Sequence, residues 1–357
     1  MSKQMDKNAF KHVVMGQQTN CYQLINAHGL EAVFTNFGQR LVSLFVPDKS
    51  GKLEDIVLGY SNLEGYLNSK EPYFGAIIGR YANRINNGKL TIDSKKYTLH
   101  QNNGLHHLHG GSQGFHNVVW EANQISKNQI EFRRISPHLE EGYPGNLDVR
   151  VNYMLTDDNE LQIKYYATTD KTTIINLTHH SYFNLADEGN GTITDHQLVI
   201  NANNYTPVDK TLIPTGKLVA VKNTAFDFTV KKEIGKDING LDEQLMFGGG
   251  YDHNYVLNKS NRNAKEVSFA AKVFHPKSGR TMEVYTDEPG IQFYSGNSLD
   301  GTVVGKKGMS YLSRSAFCLE PQHFPDSPNQ AHFPSTILKE NDNYSSTTIL
   351  KFTIAEV

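Results

Sequence analysis

Apolar and polar residues alternate with a period of two along much of this 357-residue chain. Apolar residues occupy every second position over residues 147–155, and the same alternation returns over residues 161–167 after the polar run Asp157-Asp158-Asn159. A period of two places alternate side chains on opposite faces of a strand, and Asp and Asn are common turn residues. We therefore predict a β-hairpin with one buried face.

The same pattern predicts two further hairpins. One would join residues 90–93 to residues 97–100, and the other would join residues 283–286 to residues 291–294 across a turn at residues 289–290. The Pro-Gly pair in the second connection is a common turn sequence. Both predictions treat neighbouring strands in the sequence as neighbours in a sheet.

Helical periodicity is rare in this chain. No 3.6-residue pattern is sustained over three turns, and Leu63–Leu67 is a candidate for a single turn only. Alternating strands and helices, which would indicate a parallel sheet, are not found in the sequence. No repeat, low-complexity tract or linker marks a domain boundary. We predict an all-β, antiparallel fold with few short helices and one domain over residues 1–357.

Charge and cysteine content narrow the possible functions. The net charge is −2, so the chain has no basic surplus for nucleic-acid phosphates. Cys21 and Cys318 are too far apart in the sequence for a zinc motif and too few for a disulfide framework. No apolar run reaches the ~18 residues of a membrane span, and no apolar leader pattern follows the first residues. We expect a cytoplasmic monomer or homodimer that binds neither nucleic acid nor membrane.

Five polar segments that interrupt the alternation carry the candidate chemistry. Together they contribute Arg, His, Asp and Glu side chains from widely separated parts of the chain. Hexose hydroxyls donate and accept hydrogen bonds, so a sugar site needs carboxylates, amides and guanidinium groups of this kind. The segments are residues 79–88, 108–111, 176–184, 251–254 and 318–322.

A group of histidines raises the question of a metal site. These residues are His106, His107, His109, His179 and His180. The chain has no HExxH motif, and adjacent residues on a strand point to opposite faces, so neither adjacent pair can chelate an ion. Dinucleotide, P-loop and nucleophile-elbow motifs are missing from the sequence as well. We predict neither a metal nor a cofactor.

Nine motifs spread along the chain carry a more specific signal. They lie at residues 72–85, 108–111, 141–145, 176–185, 212–216, 251–254, 290–297, 317–320 and 324–326. Together and in this order, they resemble the aldose 1-epimerase (galactose mutarotase) family over essentially the whole chain. The resemblance implies one large antiparallel β-supersandwich domain with an open cleft, a small-molecule aldose as substrate, and no cofactor.

The resemblance also implies roles for individual residues. Glu320 falls at the position of the family's general base, and His180 falls at that of its general acid. Neighbouring His179 stands where relatives such as the mammalian enzymes carry Asn, and the family's His-Ser-Tyr-Phe-Asn register assigns the acid to His180. Contacts with the sugar are implied for Asn83, Arg84, His109, Tyr182, Asp252 and Gln292.

The chemistry of anomerisation explains why a base and an acid are needed. Opening the hemiacetal removes a proton from O1 and delivers one to the ring oxygen, and no covalent nucleophile takes part. Glu320 follows the apolar residues Phe317, Cys318 and Leu319, where desolvation would raise its pKa towards neutrality. Histidine suits the acid because its ordinary pKa is about 6.5.

Three other functions stay open when the residues are considered alone. A carbohydrate-binding protein would need no acid–base pair. A glycosidase would need two carboxyl groups about 5–10 Å apart, for which Asp252 is the candidate partner of Glu320. An epimerase of phosphorylated sugars would need several basic residues beside Arg84, and Arg80 is expected to alternate away from the site. We expect free hexoses such as galactose or glucose as substrates.

Overall fold

Antiparallel β-structure dominates the computed structural model, which describes residues 5–260 and 265–354. The strands, in chain order, are β1 (Val13–Val14), β2 (Gln17–Gln18), β3 (Cys21–Ile25), β4 (Glu31–Thr35), β5 (Arg40–Pro47), β6 (Leu53–Asp55), β7 (Ala76–Ile78), β8 (Arg84–Ile85), β9 (Lys89–Ile92), β10 (Lys95–Thr98), β11 (His107–Leu108), β12 (Glu121–Ser126), β13 (Gln129–Ser136), β14 (Leu147–Leu155), β15 (Glu160–Thr169), β16 (Thr173–Ile174), β17 (Thr178–His180), β18 (Gln197–Ile200), β19 (Ala202–Tyr205), β20 (Val219–Ala220), β21 (Lys232–Glu233), β22 (Asp252–Leu257), β23 (Ser268–Phe274), β24 (Arg280–Thr286), β25 (Gly290–Tyr294), β26 (Cys318–Gln322), β27 (Ile337–Leu338) and β28 (Tyr344–Ile354). The prediction of an all-β fold is confirmed.

The helices are few and short, as predicted. Helix α1 (Leu63–Leu67) begins after Asn62, whose side chain accepts a hydrogen bond from the Gly65 N–H at 2.8 Å. Helix α2 (Glu243–Gly248) is the second, and single 3₁₀ turns lie at Lys7–Phe10, Asn86–Gly88, Phe115–Asn117, Glu140–Gly142 and Ser327–Asn329. Across residues 5–260 and 265–354, no helix has the length and apolar character needed to cross a membrane.

Three large sheets carry most of the strands. One has nine strands in the order β12-β13-β14-β15-β28-β24-β23-β18-β21, the second has five in the order β20-β19-β22-β25-β26, and the third has four in the order β3-β4-β5-β6. Short two-stranded ribbons, including β7 with β17 and β8 with β11, complete the arrangement. Every pair of named strands in these sheets is antiparallel.

A single hydrophobic cluster joins the inner faces of these three sheets. It contains Phe132 and Tyr153 from the nine-stranded sheet, Ile291 and Phe293 from the five-stranded sheet, and Leu44 from the four-stranded sheet, all buried. Complete burial of a large apolar side chain contributes about 1.5–3 kcal/mol. The sheets are therefore held face to face by a shared core, which is the packing of a β-sandwich.

The first predicted hairpin is confirmed as β14 and β15. Leu147 pairs with Thr169 and Leu155 pairs with Leu161, and buried positions alternate with more exposed ones along β14. The second is found as β9 and β10, with a shorter and earlier turn than predicted, since Ile92 pairs with Lys95. The two turn residues, Asp93 (φ 48°) and Ser94 (φ 62°), both have left-handed backbones. Such a turn matches the twist of the flanking strands.

The third predicted hairpin is wrong. Strand β24 lies in the nine-stranded sheet between β23 and β28, whereas β25 lies in the five-stranded sheet between β22 and β26. The connection crosses between sheets: the Asp287 N–H donates to the Thr347 carbonyl, and the Leu257 N–H donates to the Pro289 carbonyl. Alternation along each strand identified the strands correctly, but it does not show which strand is the neighbour, and the Pro-Gly turn lies in a connection between two sheets.

Candidate active site

An open cavity of about 710 Å³ collects residues from distant parts of the chain. It is lined by strands β8, β17, β22 and β26, by the loops after β11 and before β7, and by the end of helix α2. Seven of the eight predicted site residues line it, namely Asn83, Arg84, His109, His180, Tyr182, Asp252 and Glu320. Its volume is within the range of small-molecule sites.

Glu320 reaches the cavity from the middle of strand β26. Side chains alternate along this strand, so Leu319 joins the shared core while Glu320 points the other way, beside Gln292 on the neighbouring strand. The side chain is 2% exposed, and its Oε2 atom has no hydrogen-bond partner within the described chain. Burial, reinforced by the charges of Asp252 and Glu71, raises the pKa of Glu320 well above its ordinary value of 4.5.

His180, and not His179, faces the cavity. Both residues end strand β17, where successive side chains point to opposite faces. The His179 Nδ1 atom lies 2.9 Å from the Ser181 hydroxyl, and its ring packs edge-on against Tyr153 in the core. The His180 ring lies beside Glu320, with its Nε2 atom 3.6 Å from Oε1. The structure thus separates the two neighbours by strand geometry.

Glu320 and His180 form a buried pair that is poised to share one proton. Burial raises the pKa of Glu320 and lowers the pKa of His180 to about 3, because removal from water disfavours both charged forms. A carboxylate in this setting is a strong base, and an imidazolium is a strong acid. Burial therefore disfavours the ion pair of carboxylate and imidazolium relative to the pair in which both groups are neutral. The acid expected from the ordinary histidine pKa of about 6.5 is thus not the resting form of His180 at neutral pH.

Two tyrosines enclose the His180 ring. Tyr182 stacks on it at a centroid distance of 4.9 Å, and Tyr73 stacks on it at 5.7 Å, each with an interplanar angle of 20°. Tyr73 also contacts the rings of His109 and His116 edge-on, at 4.6 and 4.9 Å. The imidazole is therefore fixed in orientation by flat surfaces on two sides, which leaves its edge for hydrogen bonding.

Two hydrogen bonds join Asn83 and His109, one between their backbones and one to the His109 ring. The His109 N–H donates to the Asn83 carbonyl at 3.1 Å, and the Asn83 N–H donates to the His109 Nδ1 atom at 3.1 Å. Because Nδ1 accepts, the neutral ring carries its hydrogen on Nε2. Burial, with the nearby charges of His180 and Arg84, lowers the pKa of His109 well below 6.5. His109 is thus a neutral hydrogen-bond donor.

A glycine allows this contact to form. Gly110 follows His109 with a left-handed backbone (φ 82°), and a Cβ atom at this position would lie 1.8 Å from the Gly79 carbonyl oxygen. Any larger residue would push the two loops apart. Gly110 of the 108–111 motif is therefore needed for the packing of the two loops.

Arg84 supplies the cavity with a guanidinium group that is not used in an ion pair. Its Nε atom donates to the Asn103 Oδ1 atom at 3.2 Å, which orients the group. Within residues 5–260 and 265–354 no salt bridge involves Arg84, although its charge lowers the pKa of Asp252 against the larger effect of burial. Arg80 points away, as predicted, and is bound by Ser136 and nearby carbonyls.

Asp252 is held in place by Gln292. The Gln292 Nε2 atom donates to the Asp252 Oδ1 atom at 2.7 Å, and burial raises the pKa of Asp252 above 3.8. Gln292 itself is buried and does not line the cavity, so in this arrangement it contacts the site through Asp252. The predicted sugar contact at Gln292 stays a prediction, and Gln292 lies directly opposite Glu320 on the neighbouring strand.

Sequence reasoning missed three residues that the fold brings to the site. Glu71 and Tyr73 line the cavity, and Asn103 orients Arg84. Glu71 and Tyr73 flank the start of the 72–85 motif, so an acidic residue beside that motif was an available signal. Asn103 lies in a loop with no regular pattern, and its role depends on a contact across 19 residues.

One group of potential metal ligands lies outside the cavity. Asp195, His196 and His275 converge there, but the His196 Nε2 atom accepts a hydrogen bond from Leu185, and the His275 Nδ1 atom accepts one from Ser278. The ring nitrogens that face Asp195 therefore carry hydrogens. A metal ligand has the opposite arrangement, with its other nitrogen donating. The group is a hydrogen-bonded network around one carboxylate.

Known proteins of similar sequence identify the family. The family profile described as Aldose 1-epimerase matches residues 20–351. A galactose mutarotase from Bos taurus is 48% identical over 320 residues, which cover 90% of each chain. The chain belongs to the aldose 1-epimerase family. An aldose 1-epimerase from Escherichia coli is 37% identical over 343 residues, 96% of this chain and 97% of the relative.

Solved structures agree with this assignment. An aldose epimerase homologue from C. elegans superposes with a TM-score of 0.86 at 32% identity, covering 95% of this chain and all of that one. A galactose 1-epimerase from Lactobacillus acidophilus gives a TM-score of 0.84 at 27% identity, covering 97% and 98%. The predicted family, its β-sandwich fold and its epimerase activity, that of an isomerase, are thereby confirmed.

Proposed function

We propose that this chain interconverts the α and β anomers of free hexoses such as galactose and glucose, with Glu320 as general base and His180 as general acid. One observation carries the assignment of roles: a buried carboxylate and a buried imidazole lie 3.6 Å apart and line the same open cavity. O1 and the ring oxygen are both bonded to C1, so a base and an acid that act on them must also be close neighbours.

Ring opening follows from this pair. The Glu320 carboxylate takes the proton of the O1 hydroxyl while the His180 imidazolium gives a proton to the ring oxygen, and the C1–ring-oxygen bond breaks as O1 becomes the aldehyde oxygen. The products on the protein are a neutral carboxyl and a neutral imidazole. Burial favours both neutral groups, so the ionised pair that begins the step is the less populated arrangement of the same single proton, and the cost of forming it is part of the barrier. Each positioned proton transfer contributes roughly 10²–10⁴-fold.

The second half of the reaction reverses these roles. After rotation about the C1–C2 bond, the aldehyde presents its other face to the C5 hydroxyl. His180 then takes the hydroxyl proton while the Glu320 carboxyl returns a proton to O1, and the opposite anomer is formed. The pair ends in the protonation state in which it began, so no external proton donor is consumed.

Binding groups on the cavity wall are suited to hold the sugar during rotation. Arg84 offers guanidinium N–H groups without a competing ion pair, and His109 offers a neutral Nε2–H donor. Asp252 accepts hydrogen bonds, and Asn83 and Tyr182 add an amide and a hydroxyl. We assign the ring-oxygen side to Arg84 and His109, since donors there stabilise negative charge as the ring bond breaks.

The free-sugar proposal is supported by the charges of the cavity. Of the described residues that line it, Arg84 and Lys70 are basic, while Glu71, Asp252 and Glu320 are acidic. A phosphate group would meet a net negative wall, which disfavours a dianion. Neutral hexoses meet no such penalty.

Polarimetry of freshly dissolved α-galactose, α-glucose and α-xylose tests the proposal, with anomer-resolved NMR as a second readout. We expect the wild-type chain to accelerate equilibration of at least one of the hexoses, and we expect Glu320→Gln and His180→Asn to reduce this by about 10²-fold or more. The exposed Glu64→Gln variant is the control. Full activity in either site variant would contradict the roles, and an inactive wild type would contradict the activity.

A further inference from the structure

Glu71 is a third carboxylate of the cavity, beside Glu320 and Asp252. It follows Lys70 in the loop between helix α1 and strand β7 and is partly exposed to the cavity. Buried or half-buried carboxylates are rare unless something holds them. Its neighbours therefore indicate what it does.

The contacts of Glu71 lead to both tyrosines that enclose His180. Its Oε1 atom accepts a hydrogen bond from the Tyr73 N–H at 3.3 Å, and the Tyr182 hydroxyl lies against its carboxylate. Tyr73 and Tyr182 are the two rings that stack on His180, each within 20° of parallel. A single side chain thus contacts the Tyr182 hydroxyl and the backbone of Tyr73, the two residues whose rings stack on His180.

We propose that Glu71 is a positioning residue for the acid–base pair: its carboxylate holds the two tyrosines that flank His180 and places a further negative charge beside Glu320. The inference rests on the proposed function, because it assigns Glu71 a role in the same proton transfers. It adds a residue that acts through Tyr73, Tyr182 and Glu320 and need not touch the reacting atoms.

Burial raises the pKa of Glu71 itself above 4.5, and in its ionised form Glu71 acts on the base in a definite direction. The titratable groups that face Glu320 are His180 on β17, Asp252 on β22, Cys318 on its own strand, and Glu71. Negative charges on Asp252 and Glu71 disfavour a third, so both raise the pKa of Glu320 in addition to burial. Removal of the Glu71 charge should make Glu320 a weaker base.

Two substitutions separate the charge of Glu71 from its shape. Glu71→Gln keeps an acceptor oxygen for the Tyr73 N–H and the Tyr182 hydroxyl but removes the charge, whereas Glu71→Ala removes both. Glu64→Gln is the matched control, because Glu64 is exposed on helix α1 and loses the same charge outside the cavity. Each variant is assayed for kcat, KM and the pH dependence of kcat/KM, with thermal unfolding to verify folding.

We expect Glu71→Gln to move the acid limb of kcat/KM to lower pH by about half a unit to one unit, the size expected for loss of one neighbouring charge. At neutral pH kcat should fall about 3–10-fold with KM changed by less than about twofold. Glu71→Ala should lower kcat further, by more than about tenfold, since His180 loses its support. The control should match the wild type in every parameter.

Several results would overturn the inference. An unshifted acid limb with wild-type kcat in Glu71→Gln would exclude the charge effect, and an increased KM with unchanged kcat would make Glu71 a plain sugar contact. If Glu71→Ala does not fold, Tyr182→Phe replaces it: we expect a loss of kcat that is not additive with Glu71→Gln, and strict additivity would refute the connection. A wild type without epimerase activity would refute the proposed function itself, which keeps the two failures distinct.

Discussion

Glu320→Gln should make the protein inactive and more stable at the same time. The substitution keeps the size of the side chain and removes a carboxyl that burial and two neighbouring charges disfavour in its ionised form. A residue placed for folding would have the opposite effect on stability, because it would lose favourable contacts. The double outcome therefore separates a functional carboxylate from a structural one.

The sign and size of the stability change follow from proton linkage. The folded-state pKa of Glu320 lies above 4.5, so the unfolded chain ionises first as pH rises, and folding loses free energy from about pH 4.5 up to the folded-state pKa. Each pKa unit is worth about 1.4 kcal/mol. We expect Glu320→Gln to raise the free energy of unfolding by more than about 1 kcal/mol at pH 7.5, and to lose this advantage below pH ~4.5.

Urea unfolding at pH 7.5 and pH 4.5, together with polarimetry, measures both effects. The activity should fall by at least about 10²-fold, which corresponds to ~2.7 kcal/mol of transition-state stabilisation. Glu64→Gln, which removes an exposed carboxylate, should change neither quantity. A less stable Glu320→Gln at pH 7.5, or a gain that is equally large at both pH values, would refute the reasoning from the buried carboxyl.

Three further predictions concern the surroundings of the pair and a second buried pair. His180→Asn should lower kcat about 10²–10⁴-fold, whereas His179→Asn, whose ring faces Tyr153 in the core, should keep activity within about tenfold and lower the unfolding temperature instead. Arg84→Met should lower kcat/KM about 10–100-fold, the value of charged hydrogen bonds, without loss of stability, because Arg84 has no salt bridge within the described residues. Glu288→Gln should cost about 1.5–3 kcal/mol of unfolding free energy, the value of a hydrogen bond to a charged group, because it leaves partly exposed His323, whose pKa Glu288 raises, without its partner at 2.6 Å.

These measurements have clear contrary outcomes. Equal losses of activity in the two histidine variants would contradict the separation of His180 from His179 by strand geometry. A marked fall in the unfolding temperature of Arg84→Met would assign Arg84 a structural role. Chemical denaturation of Glu288→Gln with a midpoint equal to that of the wild type would mean that the buried pair contributes nothing to the fold.

Sequence patterns were most informative where one face of a strand is buried and the other is not. The alternation along β14 and β15 predicted both strands and their pairing, since a shift by one residue would expose the whole apolar set. The same reasoning failed for β24 and β25, which belong to different sheets. Alternation indicates which side chains are buried but not which strand lies alongside, so it could not distinguish a hairpin from a crossing between sheets.

The motifs predicted seven of the residues that line the cavity. Glu320 and His180 were expected as partners although 139 residues separate them, and they are neighbours at 3.6 Å. Gln292 was expected at the sugar, and its amide donates to the Asp252 carboxylate from the neighbouring strand. Such a hydrogen bond joins two strands that pack side by side, and the linear pattern of residues does not predict it.

The sequence by itself predicted one carboxylate and one histidine, Glu320 and His180, through motifs that resemble those of the family and through the apolar residues before Glu320. The tertiary structure decided the rest. It turned His179 to the core by the alternation of strand β17, and it enclosed His180 between Tyr73 and Tyr182. It also brought Glu71 to the same wall. Such contacts join residues from separate strands and loops, so they exist only once the sheets have packed on their shared core.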